Sequence, residues 1–316
     1  MSERPAAHDT TPRIGLVTCR HHDHIDHASE GKLAQALVRY GAAVTLVAWD
    51  DLAGLLGEAK DVDGLRDVVQ VLDFVVLRTP WDYWDRADEF EAWVRELGRS
   101  DRLANGGQAI LANLAKTYMH QLADRGVPIV PTLLATHADW DAQIEHATGN
   151  EWDAVIAKPV VGAAAAGLAR FDARDASRLR EHVQRIMTPR GVLLQPFLHR
   201  VTTDGETSLV YFDGELSHAV RKIPKAGDFR SQSDFGGRYE LVEATDAQRD
   251  VAERSLDAWR AIHGEMPLYA RVDLVPGDDG DPLLGELELI EPELFLDMHP
   301  EAADRFADAI YNRVGP

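Results

Sequence analysis

Residues 14–19 form an unbroken apolar, β-rich run, and after a polar stretch the apolar positions of residues 31–40 recur at helical spacing up to Gly41, which suits a helix C-terminus. Residues 44–49 and 74–77 read as further strands, the latter ending at Arg78, and residues 87–97 read as an amphipathic helix. Strand and helix alternating through short, glycine-terminated links predict a parallel, doubly wound unit. It is expected over residues 13–112, behind a polar, disordered leader at 1–12.

The pattern then changes. A helix at 116–125 closes on Gly126, and the prolines of residues 127–132 force extended backbone. A strand at 155–157 runs into Lys158-Pro159 and the small-residue loop 162–167, followed by a strand, a helix at 176–187 and a strand at 192–194. This alternation predicts a small α+β subdomain over 113–195. From 196 to 316 hairpin-like strands dominate: 208–212 and 217–221 around Asp213-Gly214, then 269–275 and 283–290 around the acidic turn 276–282. The predicted fold class is therefore α/β, with a doubly wound N-terminal domain, an α+β lid and a C-terminal mixed-sheet subdomain.

Composition narrows the function classes. The chain has 316 residues, 45% hydrophobic and 27% charged, with no apolar run of about 18 residues, so a soluble cytoplasmic protein is expected. A net charge of -20 disfavours nucleic acid and anionic membrane as partners. It also makes each basic residue informative, and only six lysines occur, at 32, 60, 116, 158, 222 and 225. The lone Cys19 fits a reducing compartment and reads as a small buried residue. The histidines of loop 21–27 lack the spacing of a defined metal site and read as a solvated loop.

Candidate chemistry concentrates late in the chain. Glu286 and Glu288 are two apart on one strand and share a face, while Asp273 on the preceding strand can face them. Three converging carboxylates call for a hard cation, and oxygen-only ligation suits Mg²⁺ shared with nucleotide phosphates. An acidic solvent-facing sheet fits the same spacing, which leaves both readings open. Lys158 before its small-residue loop, and Lys116 opening a helix, are placed to meet phosphate oxygens, although no P-loop or dinucleotide fingerprint is present. Arg20 and Arg78 follow strands of the first unit, where doubly wound sheets place ligands, and are candidates to grip a substrate carboxylate. Asp82 is a candidate for a substrate amine, Glu291 for an amino group or for support of the metal pair, and Lys222 for a catalytic substrate contact.

Six segments occur in an order that resembles the ATP-grasp superfamily: Asn113-Leu114-Ala115-Lys116, Ile156-Ala157-Lys158-Pro159, Gln195-Pro196-Phe197, Gly227-Asp228-Phe229-Arg230, Glu286-Leu287-Glu288-Leu289-Ile290-Glu291-Pro292, and Arg78-Thr79-Pro80-Trp81 ahead of them all. The chain is most similar to the branch holding glutathione synthetase-like proteins and D-cycloserine synthetase. That resemblance implies an ATP- and Mg²⁺-dependent carbon–nitrogen ligase that works through an acyl phosphate on a small amino-acid-like substrate. It further implies two Mg²⁺ ions on Asp273, Glu286 and Glu288, and phosphate and adenine contacts from Lys116 and Lys158. Backbone N–H groups at Gly162 and Ala163 would meet phosphate, Gln195, Pro196, Phe197 and Leu198 would form the adenine hinge, and Glu206 would contact the nucleotide. Arg230 is implied to stabilise the transferring phosphoryl group, with loop 223–237 closing over it, and a homodimer or tetramer is implied as well. Ring closure within one substrate, ligation of two substrates, and a nucleotide-binding protein without turnover are the readings carried forward.

Overall fold

The computed structural model describes residues 11–20, 27–50, 71–149, 152–163 and 165–314, and the elements below are numbered over these. The expected leader falls almost wholly outside them, as do residues 21–26 of the histidine-rich loop.

Strands β1 (Arg13–Thr18), β2 (Ala43–Ala48) and β3 (Phe74–Thr79) form a parallel sheet in the order β2-β1-β3, with helix α1 (His27–Arg39) as the first crossover. Their near-continuous apolar runs follow from burial on both faces. Ile14 and Leu16 meet Leu33 and Leu37 of α1, whereas Val17, Val75 and Leu77 meet Phe90, Trp93 and Val94 of helix α2 (Ala87–Leu97). Gly41, at φ +90°, ends the α1 turn in a conformation that side chains resist.

Helices α3 (Gly107–Leu114) and α4 (Tyr118–Ala123) lead to a four-stranded antiparallel sheet. Its strands are β4 (Leu133–Ala135), β5 (Ala154–Pro159), β6 (Ala169–Asp172) and β7 (Val192–Pro196), with helices α5 (Trp140–Gly149) and α6 (Ala176–Ile186) on one face. Val155 and Ala157 turn toward those helices, so alternation sends Ile156 and Lys158 to the opposite face.

After the single turn α7 (Val201–Asp204), strands β8 (Glu206–Phe212), β9 (Glu215–Ile223), β10 (Arg238–Val242), β11 (Tyr269–Pro276) and β12 (Pro282–Glu288) form a second antiparallel sheet, ordered β10-β9-β8-β11-β12. Helix α8 (Asp246–His263) covers one face through Val251, Leu256 and Trp259, and helix α9 (Ala302–Val314) returns to α1 beneath the first sheet. The sequence reading passed over α5, α8, α9 and β10. The helix expected from 116 begins at Tyr118, leaving Lys116 in the turn before it.

The strand expected to stop at Arg78 continues to Thr79, which changes the place of Arg78. That residue is 1% exposed, and its guanidinium donates to both Glu30 oxygens (3.2 and 3.0 Å) and to the Pro292 carbonyl (3.1 Å). Arg78 therefore clamps the first domain to the last rather than waiting for a substrate carboxylate.

His218 on β9 is similarly committed. Its Nε2–H donates to the Leu294 carbonyl (3.0 Å), its Nδ1 accepts from Ser217 Oγ (2.9 Å), and its ring stacks on His299 at 5.6 Å. Burial, with His299 adding repulsion, pushes its pKa down to about 4. A base whose folded pKa lies below its unfolded one contributes stability at high pH that disappears as pH falls from about 6.5 to about 4. His218→Gln is expected to flatten that limb, removing about 3 kcal/mol of pH dependence in denaturant titrations at stepped pH.

Candidate active site

The edge of β12 explains how distant residues come together. On its outer side the Leu287 peptide is held by Tyr118, whose hydroxyl donates to Leu287 O (2.8 Å) and accepts from Leu287 N (2.9 Å). Asn113 Nδ2 donates to the same carbonyl (2.9 Å), and its Oδ1 accepts from Leu289 N (3.1 Å). Side chains of α3 and α4 thus satisfy an otherwise open strand edge. The turn between those helices, carrying Lys116, is thereby laid over the Glu286 face. Lys116 Nζ reaches Glu286 Oε1 (2.8 Å) and the Gly162 carbonyl (2.7 Å), and its amide donates to Val160 O (3.0 Å).

Asp273 stands opposite Glu286 in the β11–β12 register, and Arg271 stands opposite Glu288. The expected carboxylate face forms, but with basic residues threaded through it. Arg271 donates to both Asp273 oxygens (2.9 and 2.8 Å) and to Glu288. Asp273 also accepts from Ser208 Oγ (2.6 Å) and Lys222 Nζ (3.1 Å), and Lys222 pairs with Glu206 as well. Among the described residues no group of three or more carboxylate, histidine or cysteine side chains is drawn together as a ready metal cage. The donor set nevertheless fits a hard cation, since it is entirely carboxylate oxygen.

The electrostatics follow from depth. Burial opposes ionisation of Asp273, yet Arg271 and Lys222 outweigh it and hold the carboxyl below its usual range. Glu286 is likewise lowered, with burial overcome by Lys116 and Lys158. Burial prevails at Glu288, where it outweighs Arg271 and lifts the carboxyl to about 8. Lys158 is pulled down by burial, with Glu286 opposing and Lys116 reinforcing. Two lysines and the carboxylate face are therefore close enough to feel one another.

Gln195 and Pro196 end β7, and Phe197 follows. The Gln195 side chain donates to Thr132 Oγ1 (2.8 Å), and the Phe197 amide donates to Ala154 O (2.9 Å). Phe197 packs with Ala154 and Ile156, and Arg170 lies over its ring at 4.0 Å. Leu198 O accepts from Val201 N (3.2 Å), opening α7, and His199 pairs with Asp153 at 3.0 Å. In the small-residue loop Ala163 O accepts from Ala166 N (2.9 Å), while Ala164 lies outside the described residues. Gly205 is required for closeness, since a Cβ there would lie 2.5 Å from Lys222 O; it lets β8 start with Glu206 against Lys222.

Two expected site residues are engaged otherwise. Asp82 accepts from Trp49 Nε1 (2.7 Å) and Arg86 (2.7 Å), contacts that brace the first domain and occupy the carboxylate expected for an amine. Glu206 is tied to Lys222 and accepts from Ser231 Oγ (3.3 Å), which positions the lysine. Arg20 is exposed beyond β1, with its amide donating to Asp50 (3.1 Å). Arg230 is held by Asp228 (3.1 and 2.8 Å) and stacks on Phe235 at 3.7 Å. Its neighbour Phe229 packs edge-on against Phe197 at 5.7 Å.

Arg271 was the main omission. Its signal was present, because a residue two before Asp273 on one strand must share its face.

Comparisons with known proteins agree with this arrangement. Residues 14–105 match the family described as D-cycloserine synthetase DcsG, N-terminal domain, and residues 121–261 match prokaryotic glutathione synthetase, ATP-grasp domain. The cycloserine biosynthesis protein DcsG of Streptomyces lavendulae is 34% identical over 274 residues, 83% of this chain and 90% of that one. A glutathione synthetase of Prochlorococcus marinus (strain MIT 9313) is 29% identical over 52% of this chain and 49% of that one. The crystal structure of D-cycloserine synthetase DcsG superposes with a TM-score of 0.83 at 31% identity, covering 96% of this chain and all of that one. D-alanine–D-alanine ligase of Bacillus anthracis, at 15% identity, covers 96% of this chain and 97% of its own and shares the fold with a TM-score of 0.67. With both halves matched and one relative aligned over most of each chain, this protein belongs to the ATP-grasp ligases of the D-cycloserine synthetase family.

Proposed function

We propose that this chain, an ATP-dependent carbon–nitrogen ligase of the D-cycloserine synthetase type, closes a ring within one small amino-acid-like substrate. The observation that carries the residue assignment is the convergence of Lys116, Lys158 and Lys222 on the face formed by Asp273, Glu286 and Glu288. Phosphate chemistry needs that combination: cations for the transferring group and carboxylates for the metal that escorts it.

Asp273, Glu286 and Glu288 would hold Mg²⁺, two ions in this reading, and the metal would neutralise the charge on ATP. Lys116 and Lys158 would bind phosphate oxygens, with backbone N–H groups of Gly162 and Ala163 beside them. Backbone groups of 195–198 would face the adenine, in an apolar pocket made by Ile156 and Phe197. Arg271 joins Arg230 as a cation for charge developing on the transferred phosphoryl group. Lys222, buried between Glu206 and Asp273, fixes the latter. Closure of loop 223–237 would shield the acyl phosphate from water. The domain limits 13–112, 113–195 and 196–316, a homodimer or tetramer, and a cytoplasmic location belong to the same proposal. No described helix is long and apolar enough to cross a membrane.

A second reading, ligation of two separate substrates, is favoured by the glutathione synthetase match over residues 121–261. Phosphate release on a panel of small amino acids bearing a side-chain amine or aminooxy nitrogen separates the two. Ring closure is expected to give ATP-dependent phosphate and a product one water lighter from a single substrate. Strict dependence on a second amine would exclude it, and absence of ADP formation across the panel would exclude ligase activity on this class.

A further inference from the structure

Strand β12 is held differently along its length. In its pairing with β11, Leu274 stands opposite Leu284 and Asp273 opposite Glu286, so the register skips Gly285. The extra residue of such a bulge re-aims the strand beyond it. Before the bulge, the outer edge meets backbone: the Leu284 amide donates to Pro128 O (2.8 Å) and its carbonyl accepts from Val130 N (3.0 Å). Beyond it, the outward peptide groups are those of Leu287 and Leu289, and their partners are side chains. Tyr118 Oη and Asn113 Nδ2 share Leu287 O (2.8 and 2.9 Å), and Tyr118 Oη also accepts from Leu287 N (2.9 Å). Asn113 Oδ1 accepts from Leu289 N (3.1 Å), while Asn105 Nδ2 donates to Leu289 O (2.8 Å) and to Tyr269 O (2.9 Å). The pattern continues past the strand, where Ile290 O accepts from Tyr269 Oη (2.9 Å), the O of half-buried Glu291 from Trp81 Nε1 (3.0 Å) and Pro292 O from Arg78 (3.1 Å). Asn105, Asn113 and Tyr118 are all buried, so water competes little for these bonds.

Register matters most at this point. A slip by one residue would turn Glu286 and Glu288 toward the core and bring Leu287 and Leu289 to the cleft. Asn113 grips two peptides at once, Leu287 O and Leu289 N, one on either side of Glu288. Lys116, three residues on, is held separately through its amide to Val160 O (3.0 Å). We propose that Asn113 is a positioning residue for the metal site, fixing the register beyond the bulge in which Glu286 and Glu288 present their carboxylates to a cation. Tyr118 shares the task through Leu287. The inference rests on the assignment of those carboxylates to Mg²⁺ above. Its consequence is a split: Asn113 sets affinity for the metal and leaves the hold of the lysines on the nucleotide.

Metal and nucleotide binding can be read apart. Mn²⁺ binding to the enzyme–ADP complex is followed by electron paramagnetic resonance, and ADP binding in EDTA is measured by calorimetry. Asn113→Ala is expected to weaken Mn²⁺ binding about 10-fold, while ADP affinity without metal stays within about twofold of wild type. Tyr118→Phe leaves both Asn113 bonds and is expected to weaken Mn²⁺ less, with the same split; it carries the test should Asn113→Ala not fold. Because the two side chains share Leu287 O, the double variant is expected to lose more than the product of the single losses. Leu37→Ala, in the core beneath the first sheet, is a destabilised control expected to bind Mn²⁺ as wild type does. Unchanged Mn²⁺ affinity in Asn113→Ala, or in Tyr118→Phe if that variant alone folds, overturns the proposal. An equal loss in Leu37→Ala also overturns it, since general destabilisation would then suffice, as does a parallel loss of ADP affinity in EDTA, which would place the effect on Lys116. If Glu288→Gln leaves Mn²⁺ binding at the wild-type level, the carboxylate assignment itself fails and the inference falls with it.

Discussion

Arg271→Met is expected to lower turnover by about 10²- to 10³-fold, the size of effect seen when one preorganised donor leaves a charged transition state. It is also expected to destabilise the fold by about 3 kcal/mol, because Asp273 keeps only one of the two buried cations that hold it ionised. Arg271 is 8% exposed and bridges Asp273 to Glu288 while donating to Glu293 O (3.2 Å). Without it Asp273 keeps Lys222, but Glu288 loses the cation that bridges it. Arg271→Lys keeps the charge but not the planar fork that spans two carboxylates, so stability should return in part and turnover should not. Mg²⁺ offers an internal control. If the ion binds these carboxylates, it should stabilise Arg271→Met more than wild type in denaturant titrations, since it replaces the missing cation. A variant that retains turnover within a few-fold of wild type would remove Arg271 from the chemistry.

The sequence was legible where pattern and chemistry coincide. Strands β1, β2, β3 and β5 and helix α2 came through because unbroken apolar runs and a clean 3.6-residue period leave few alternatives. The carboxylate face came through because residues two apart on a strand cannot point apart. Helix α8 was missed although its start is marked: Thr245 accepts from Gln248 N (3.2 Å), and Gln248 Oε1 accepts from Thr245 N (3.0 Å). That capping box precedes a stretch whose surface is densely charged, and the charge hid the apolar stripe of Val251, Leu256 and Trp259. Arg78 and Asp82 were misplaced for a different reason. Position at the end of a strand was readable, but their partners Glu30 and Trp49 are 48 and 33 residues away, and only the fold decides that these ends turn inward.

Loop 223–237 links the two halves of the site. Asp228 takes hydrogen bonds from the Phe229 and Arg230 amides as well as from the Arg230 guanidinium, which holds its carboxyl well below the usual range. Phe229 meanwhile touches Phe197 at the expected adenine hinge. A base that entered beside Phe197 would disturb Phe229 and, through one peptide unit, Arg230. If the base binds beside Phe197 as proposed, the position of Arg230 is expected to change with nucleotide binding through that one peptide unit.

Asp273→Asn is expected to be the most damaging single change, with turnover reduced about 10³-fold, equivalent to the several kcal/mol that a carboxylate-held cation supplies at a phosphoryl centre. Asparagine preserves the shape and can still accept from Ser208, but it removes the charge that Arg271 and Lys222 share. Two buried cations then repel one another, and stability is expected to fall by about 3 kcal/mol. A second substitution separates the structural loss from the chemical one. Lys222→Met in the Asp273→Asn background should restore much of the stability, since one stranded cation is gone, whereas turnover should stay low because the charged carboxylate proposed to hold the metal is still missing. Denaturant unfolding reads the first quantity, and ADP formation at saturating ATP across a Mg²⁺ titration reads the second. If turnover recovered together with stability in the double variant, Asp273 would be a counter-ion for Lys222 and Arg271 and not a ligand of the metal.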